Sequence, residues 1–251
     1  MKKIKILLCI LALSLWCHGF AYGESLYVSV AASMTDAFKE IISAYPGDDP
    51  DDRILPNFAS SGSLAKQIAQ GAPADLYVSA NPKWMRFLAD NHMIDEATRR
   101  IFAFNKLVFV GRSGGGVSQL AQLTSLEKIA IGTPQSVPAG QYAKQAMEGA
   151  GIYQPLKRDR KLVMAKDVRQ ALLYADRGEV DGAFVYRTDA LLAQNAAVLF
   201  TVPDELYDRV SYPLALTVSG SKKALAVSFY EFIGSPQVSQ ILSKYGFEPA
   251  R

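Results

Sequence analysis

F-A-S-S-G-S-L-A-K-Q-I-A-Q-G-A-P-A-D-L-Y-V-S-A, from Phe58 to Ala80, reads as the end of a strand, a hydroxyl-rich loop, a helix and a second strand. Leu64, Ala65, Ile68 and Ala69 recur at helical spacing, Gly71 closes the helix, and Asp75 to Ser79 returns to an extended apolar pattern. The helix therefore starts inside Ser60-Ser61-Gly62-Ser63. A helix start leaves backbone N–H groups unpaired and carries partial positive charge, so hydroxyls there, beside a glycine that lets a ligand approach the backbone, can cradle an anion. Ser61 or Ser63 would equally serve as a plain helix cap.

The same junction recurs outward from this stretch. Ser25 to Ala32 is a strand, and Ser33-Met34-Thr35-Asp36 follows it, with Ala37, Phe38, Ile41 and Ile42 at helical spacing behind. Ser33 and Asp36 have the spacing of a capping box. After a turn at Pro46 to Asp52, Arg53 to Ala59 leads back to the opening stretch. Strand, helix, strand, helix, strand predicts a parallel α/β lobe whose ligands sit at the carboxyl ends of strands. Pro82 to Asn91 reads as a helix, and the chain passes into a second lobe near Asn105 with the buried strand Lys106 to Gly111.

In the second lobe, the strand Lys128 to Gly132 is followed by Thr133 to Gly140 and a helix presenting Tyr142, Ala143, Ala146 and Met147 on one face. Pro138 suits the first helical position. Ala139 and Gly140 then expose first-turn N–H groups on small residues. Leu162 to Ala165 is a short strand, Asp167 caps the next helix with Gln170 in the reciprocal position, and Val168 heads that helix with a free N–H. The strand Glu179 to Tyr186 ends in a tyrosine able to aim its hydroxyl into the crevice. Ser211 to Val218 crosses back, and helices over Lys222 to Ile233 and Pro236 to Tyr245 close the first lobe.

Composition narrows the function. Lys2, Lys3 and Lys5, the apolar run Ile6 to Trp16 and the small residues around Ala21 to Gly23 form an export signal over residues 1–23, too short to span a bilayer. Without it, 228 of the 251 residues remain, and three of the 27 Lys and Arg are lost, leaving 24 against 24 Asp and Glu. Near-zero net charge without a basic stripe excludes a nucleic-acid binder. Both cysteines, Cys9 and Cys17, lie in the signal and only His92 remains as a histidine, which removes disulfides, thiol chemistry and the usual zinc or copper sites. Cys17 follows the bulky Trp16, so a lipid anchor there is not expected. The mature chain is expected to be periplasmic and monomeric, with no catalytic residues and no cofactor.

Ala31 to Phe38 (A-A-S-M-T-D-A-F), Phe58 to Ile68, Gly71 to Ala80 (G-A-P-A-D-L-Y-V-S-A), Val137 to Lys144 (V-P-A-G-Q-Y-A-K), Asp167 to Leu172 (D-V-R-Q-A-L) and Lys244 to Phe247 (K-Y-G-F) together resemble the periplasmic molybdate-binding proteins of ABC importers. The resemblance runs through essentially the whole mature chain, with the motifs in order. It implies the type II periplasmic-binding-protein fold: two α/β lobes, residues 24–105 with 213–251 and residues 106–212, each a mostly parallel sheet flanked by helices, joined by a two-segment hinge near Asn105 and Tyr212. It also implies a cleft closing over molybdate or tungstate for delivery to a membrane permease. Carried over residue by residue, the ligand contacts fall on Ser33 and Ser61 through hydroxyl and N–H, on the N–H groups of Ala139 and Val168, and on the Tyr186 hydroxyl. Gly62 stands where some members carry serine, which removes a hydroxyl near the ligand.

Three rival readings remain. A serine hydrolase would need a base for Ser33 or Ser61 from His92, Lys66 or an acid, and neither G-x-S-x-G nor S-x-x-K surrounds these serines. Ferric iron would need anionic ligands from Tyr186, Tyr142 and Tyr174 and would leave the serine loops idle. Sulfate or another oxyanion would keep the fold and change the ligand. Lys66, Arg169 and Arg187 lie near the proposed contacts in sequence and are expected to steer anions or to line solvated helix faces.

Overall fold

The computed structural model describes residues 23–250 apart from 48 and 115. The export signal and both cysteines therefore fall outside the described residues, with Gly23 alone of the expected signal inside them. Strands β1 (Ser25–Ala31), β2 (Arg53–Ala59), β3 (Leu76–Val78) and β4 (Arg100–Asn105) form one sheet, which β10 (Val210–Leu216) and β11 (Glu248–Pro249) later join. Its order is β11-β4-β10-β3-β1-β2. The second sheet, ordered β7-β6-β8-β5-β9, takes β5 (Leu107–Gly111), β6 (Ile129–Gly132), β7 (Leu162–Ala165), β8 (Gly182–Tyr186) and β9 (Ala197–Thr201).

Around the first sheet pack helices α1 (Thr35–Ala44), α2 (Ser61–Ala69), α3 (Pro82–Asp90), α8 (Ala224–Ile233) and α9 (Pro236–Lys244). The second carries α4 (Pro138–Gly149), α5 (Tyr153–Arg158), α6 (Val168–Asp176) and α7 (Arg187–Ala190). The apolar spacing of these segments explains their form. In β1, Leu26, Val28 and Val30 are buried at period two, and in α6, Val168, Ala171, Leu172 and Ala175 are buried at the spacing of one helix face. Each large apolar side chain buried this way contributes roughly 1.5–3 kcal/mol. Phe109 in the middle of β5 stacks on Phe200 at 5.3 Å and meets Phe184 edge-on at 5.1 Å, fastening the three adjacent strands.

Both sheets are mixed. β1 runs parallel to β2 and β3, and β6 parallel to β7 and β8, as the strand-helix alternation predicts. The strands that carry the chain between the halves run against their neighbours: β10 is antiparallel to β3 and β4, and β5 is antiparallel to β8 and β9. Val210 to Tyr212 pair with Ala103 to Asn105 in the first sheet, so β10 starts ahead of the expected boundary at residue 212. Pro213 cannot donate to a ladder, and the strand register shifts between Tyr212 and Pro213, the kind of bulge where a central strand tolerates proline.

Lys106 separates β4 from β5 at the first crossing, and residues 202–209 make the second. The crossings are tied together by Lys106 Nζ to Asp204 Oδ2 at 2.6 Å and by the Leu107 N–H donating to Tyr207 Oη at 3.1 Å. Among the described residues no helix is long and apolar enough to cross a membrane.

Candidate functional site

Six strand ends converge where the halves meet. The lining of one small cavity comes from Ala31 to Ser33 after β1, Ser60 and Ser61 after β2, Ala80 after β3, Val137 to Ala139 after β6, Asp167 and Val168 after β7, and Tyr186 at the end of β8. All five residues to which the sequence analysis assigns ligand contact, Ser33, Ser61, Ala139, Val168 and Tyr186, line it together. Its interior volume is about 10 Å³, against roughly 300–1,000 Å³ for pockets that take organic ligands, so this one suits a small ion.

Helix starts aim the donors. The Ser60 hydroxyl caps α2 by accepting from the Ser63 N–H, a role expected of Ser61 or Ser63. With the cap supplied one residue earlier, Ser61 faces the cavity. Its Oγ accepts from the Ala80 N–H at 2.9 Å, which leaves the serine proton to donate elsewhere. Asp167 caps α6 by accepting from the Gln170 N–H at 2.9 Å, so the carboxylate in the lining is turned back onto its own helix. Gln170 reaches back to the N–H of Lys166, one residue before the expected partner.

Pro138 opens α4, and a Cβ on Gly140 would run into the Gly132 carbonyl, so the glycine lets that first turn close against the end of β6. Within the described residues, the backbone N–H groups of Ser33, Ser61, Ala139 and Val168 have no hydrogen-bond acceptor. Such unpaired first-turn donors are a preformed anion cradle.

Ser33 departs from expectation. It does not cap α1, which has no side-chain cap at all; it sits in a short 3-10 turn, Ala32–Met34, and its Oγ lies 2.9 Å from Tyr212 Oη. Asn105 explains the direction of that bond. Its Oδ1 accepts from the Lys106 N–H at 2.9 Å, so its Nδ2 faces Thr188 Oγ1 at 2.9 Å and Tyr212 Oη at 3.3 Å. The arrangement that pairs each proton has Asn105 donating to Tyr212 and Tyr212 donating to Ser33, leaving the Ser33 proton for the cavity. In the sequence Asn105 and Tyr212 stand out as hinge positions but not in this orienting role, because a separation of 107 positions hides their contact.

Tyr186 supplies the deepest donor. Its hydroxyl is fully buried, has no partner among the described residues, and has its pKa held well above the ordinary phenol range by burial, then by the neighbouring Tyr212 and Tyr142. A neutral phenol of this kind can donate a proton in a hydrogen bond but resists becoming the phenolate that ferric iron wants. Tyr142 donates to the Ala80 carbonyl at 3.4 Å, and neither it nor Tyr174 lines the cavity. Nor does the lining contain His92 or Lys66, the bases a hydrolase would need; His92 is exposed on the turn after α3, and Lys66 lies over the Trp84 ring at 5.6 Å.

Two of the three cations read as anion-steering are exposed, Lys66 and Arg187. The third, Arg169, is not free to steer. It pairs with Asp36 at 2.8 Å and with the fully buried Asp189 at 2.6 Å.

Two sheets joined by two crossing segments, with paired loops facing a small interlobe cavity, define a solute-binding protein of the periplasmic-binding-protein fold. A family model described as bacterial extracellular solute-binding protein matches residues 26–248, and the chain belongs to that family. The family is one of extracytoplasmic binding proteins, not enzymes. The chain is 37% identical over 246 residues to the molybdate-binding protein ModA of Escherichia coli K12, covering 94% of each. It is 35% identical over 257 residues to the putative ABC transporter substrate-binding lipoprotein YvgL of Bacillus subtilis 168, covering 98% of each. The solved periplasmic molybdate-binding protein of Azotobacter vinelandii superposes with a TM-score of 0.79 at 22% identity, over 90% of this chain and all of that one.

Proposed function

We propose that the protein captures molybdate, and tungstate with it, in the cavity between its halves and delivers the oxyanion to an ABC-type permease from the periplasm. The buried Tyr186 hydroxyl without a partner among the described residues carries this reading, since it lines a cavity shared with serine hydroxyls and helix-start N–H donors, the one carboxylate there, Asp167, being turned onto its own helix. The ligand set is Ser33, Ser61, Ala139, Val168 and Tyr186, with no cofactor and no cation in contact. Export by the signal over residues 1–23, a monomeric state and closure of lobe 106–212 onto the rest about the two crossings belong to the same reading.

Neutral donors fixed at helix starts supply positive potential to a dianion without a buried counter-ion that would need desolvation. Hydrogen bonds to a charged group contribute about 1.5–3 kcal/mol each. Several of them, less the costs of ordering and closure, cover the roughly 8 kcal/mol that a micromolar dissociation constant requires. Phosphate that keeps a proton at neutral pH finds no acceptor in such a cradle and is rejected. Sulfate has no such proton and must be rejected by its smaller size.

A thermal-shift panel on the mature protein tests the reading. Molybdate and tungstate should raise the melting temperature with concentration, as ligands of the folded state do. Sulfate and phosphate should raise it far less. Equal shifts with sulfate would overturn the selectivity, and a response to ferric iron alone would replace the oxyanion with a metal.

A further inference from the structure

We propose that Arg169 is a positioning residue of this site: a latch from the second half that holds Ser33 and the first turn of α1 in the closed arrangement and so governs how fast a bound oxyanion leaves. The inference rests on the oxyanion reading for its ligand and on geometry for its mechanism. Arg169 follows Val168, whose N–H lines the cavity, and its side chain leaves α6 toward the other half.

All three guanidinium nitrogens are engaged. Nη1 lies 2.8 Å from Asp36 Oδ2, Nη2 donates to the Ser33 carbonyl at 3.2 Å, and Nε lies 2.6 Å from Asp189 Oδ1. Asp36 and Ser33 belong to the first half; Asp189 belongs to α7 in the second. The fork therefore rests on the Asp189 carboxyl group of its own half and grips the opposite half at a ligand residue's backbone. Asp189 is fully buried and neither of its carboxyl oxygens makes a well-directed hydrogen bond among the described residues, so its burial is compensated mainly by the charge of Arg169 at 2.6 Å. The grip on Asp36 is more exposed, with side-chain exposures of 27% and 36%.

Opening the cleft must break the Asp36 and Ser33 contacts while the Asp189 contact, internal to one half, persists. Other bonds also join the halves: Gly62 N–H to the Ser136 carbonyl at 2.9 Å, Asn81 Nδ2 to Gln141 Oε1 at 2.6 Å, the Tyr142 hydroxyl to the Ala80 carbonyl at 3.4 Å and, beside the crossings, Asn105 Nδ2 to Thr188 Oγ1 at 2.9 Å. None of these four is charge-assisted. The Arg169 fork is planar and bidentate in reach, which a lysine cannot reproduce.

Stopped-flow association and displacement of molybdate would be compared for the wild type, Arg169→Ala, Arg169→Lys and Asp36→Asn. Release should accelerate about 10-fold or more in Arg169→Ala and Asp36→Asn, with association changed far less, because interactions formed on closure act on dissociation. Arg169→Lys should restore only part of the loss. The double variant should release no faster than about the worse single one, since both changes remove one interaction. Asp36→Asn leaves the buried Arg169–Asp189 pair intact, so it tests the latch even where Arg169→Ala fails to fold.

Because both cysteines lie in the first 23 residues, a mature chain with cysteines placed at the exposed Asp90 and Ala150 can carry two spin labels and report the distance between the halves. Should the wild type bind no oxyanion at all, the proposed function fails, and the latch is decided by that distance in the free protein, which must lengthen in Asp36→Asn. Wild-type release in Asp36→Asn, or in that case an unchanged distance, would overturn the proposal.

Discussion

The N–H of Gly62 donates to the carbonyl oxygen of Ser136 at 2.9 Å, joining the first turn of α2 to the loop before α4 across the closed cleft. A Cβ at Gly62 would lie 2.5 Å from that carbonyl oxygen and 2.5 Å from the Trp84 ring. The glycine therefore does more than lack a serine hydroxyl: it lets the two halves approach closely enough to enclose the cavity between Ser61 and Ala139.

Gly62→Ala should consequently weaken oxyanion binding by about 1–3 kcal/mol, roughly 5- to 150-fold, the usual range for overpacking a tight contact. Titration calorimetry with molybdate measures this. The open form has no Ser136 contact to violate, so the unliganded protein should lose less. Unchanged affinity would mean that the closed arrangement has slack at this point.

Tyr186→Phe isolates one donor. The hydroxyl has no partner among the described residues, so its removal should leave the unliganded protein as stable as before or slightly more so. Affinity for molybdate should fall by about 1.5–3 kcal/mol, roughly 10- to 150-fold. Paired denaturation and binding measurements separate the two effects, and a variant that binds normally would remove the phenol from the ligand set.

Much of this site is legible in the sequence because each of its loops repeats one local device, a strand end followed by a small or hydroxyl residue at a helix start. Ser61, Ala139 and Val168 are found in that way, and Tyr186 by its place at the end of β8. Local patterns have less to say where a residue's partner is remote in the chain. Ser33 looks like a cap by its spacing from Asp36, yet Tyr212 holds its hydroxyl and Arg169 holds both its carbonyl and the Asp36 carboxylate. Arg169 reads as a solvated or steering cation because nothing near it in sequence announces Asp189 as a buried partner. The strand β9 and the short helix α5 escape for a different reason: A-V-L-F-T and Y-Q-P-L-K-R are too short for a period to emerge, and packing against β5 and α4 decides them.

Tyr212→Phe tests the relay from Asn105. The ring is fully buried and the residue is not part of the cavity lining, so its hydroxyl acts on binding chiefly through Ser33, its hydrogen-bond partner. Losing the bond that orients the Ser33 proton should lower affinity by about 0.5–1.5 kcal/mol, roughly 2- to 10-fold, with a similar loss of stability. A drop in stability with no change in affinity would show that Ser33 needs no orienting partner.

The Asp189 carboxyl gives the site a pH dependence whose sign can be worked out. Burial pushes its pKa up from the ordinary 3.8, and the Arg169 guanidinium pulls it only part of the way back, to about 7. Between about pH 4 and 7 the folded protein therefore holds a proton here that the unfolded chain has released. The contribution of this group to stability is fully present below the unfolded pKa and falls as pH rises through about 7, by an amount on the order of a few kcal/mol. Urea denaturation of the unliganded protein at pH 5, 6, 7 and 8 should show the wild type losing stability relative to Asp189→Asn from pH 5 to about 7 and levelling off by pH 8. Carbon-13 NMR of the carboxyl groups should place one titration near neutrality. In Arg169→Ala that titration should move higher still, because the favourable charge is gone and the burial remains. A carboxyl titrating near 4 in the wild type, or a stability difference that grows with pH, would mean that Arg169 and the surrounding dipoles offset the burial of Asp189 in full.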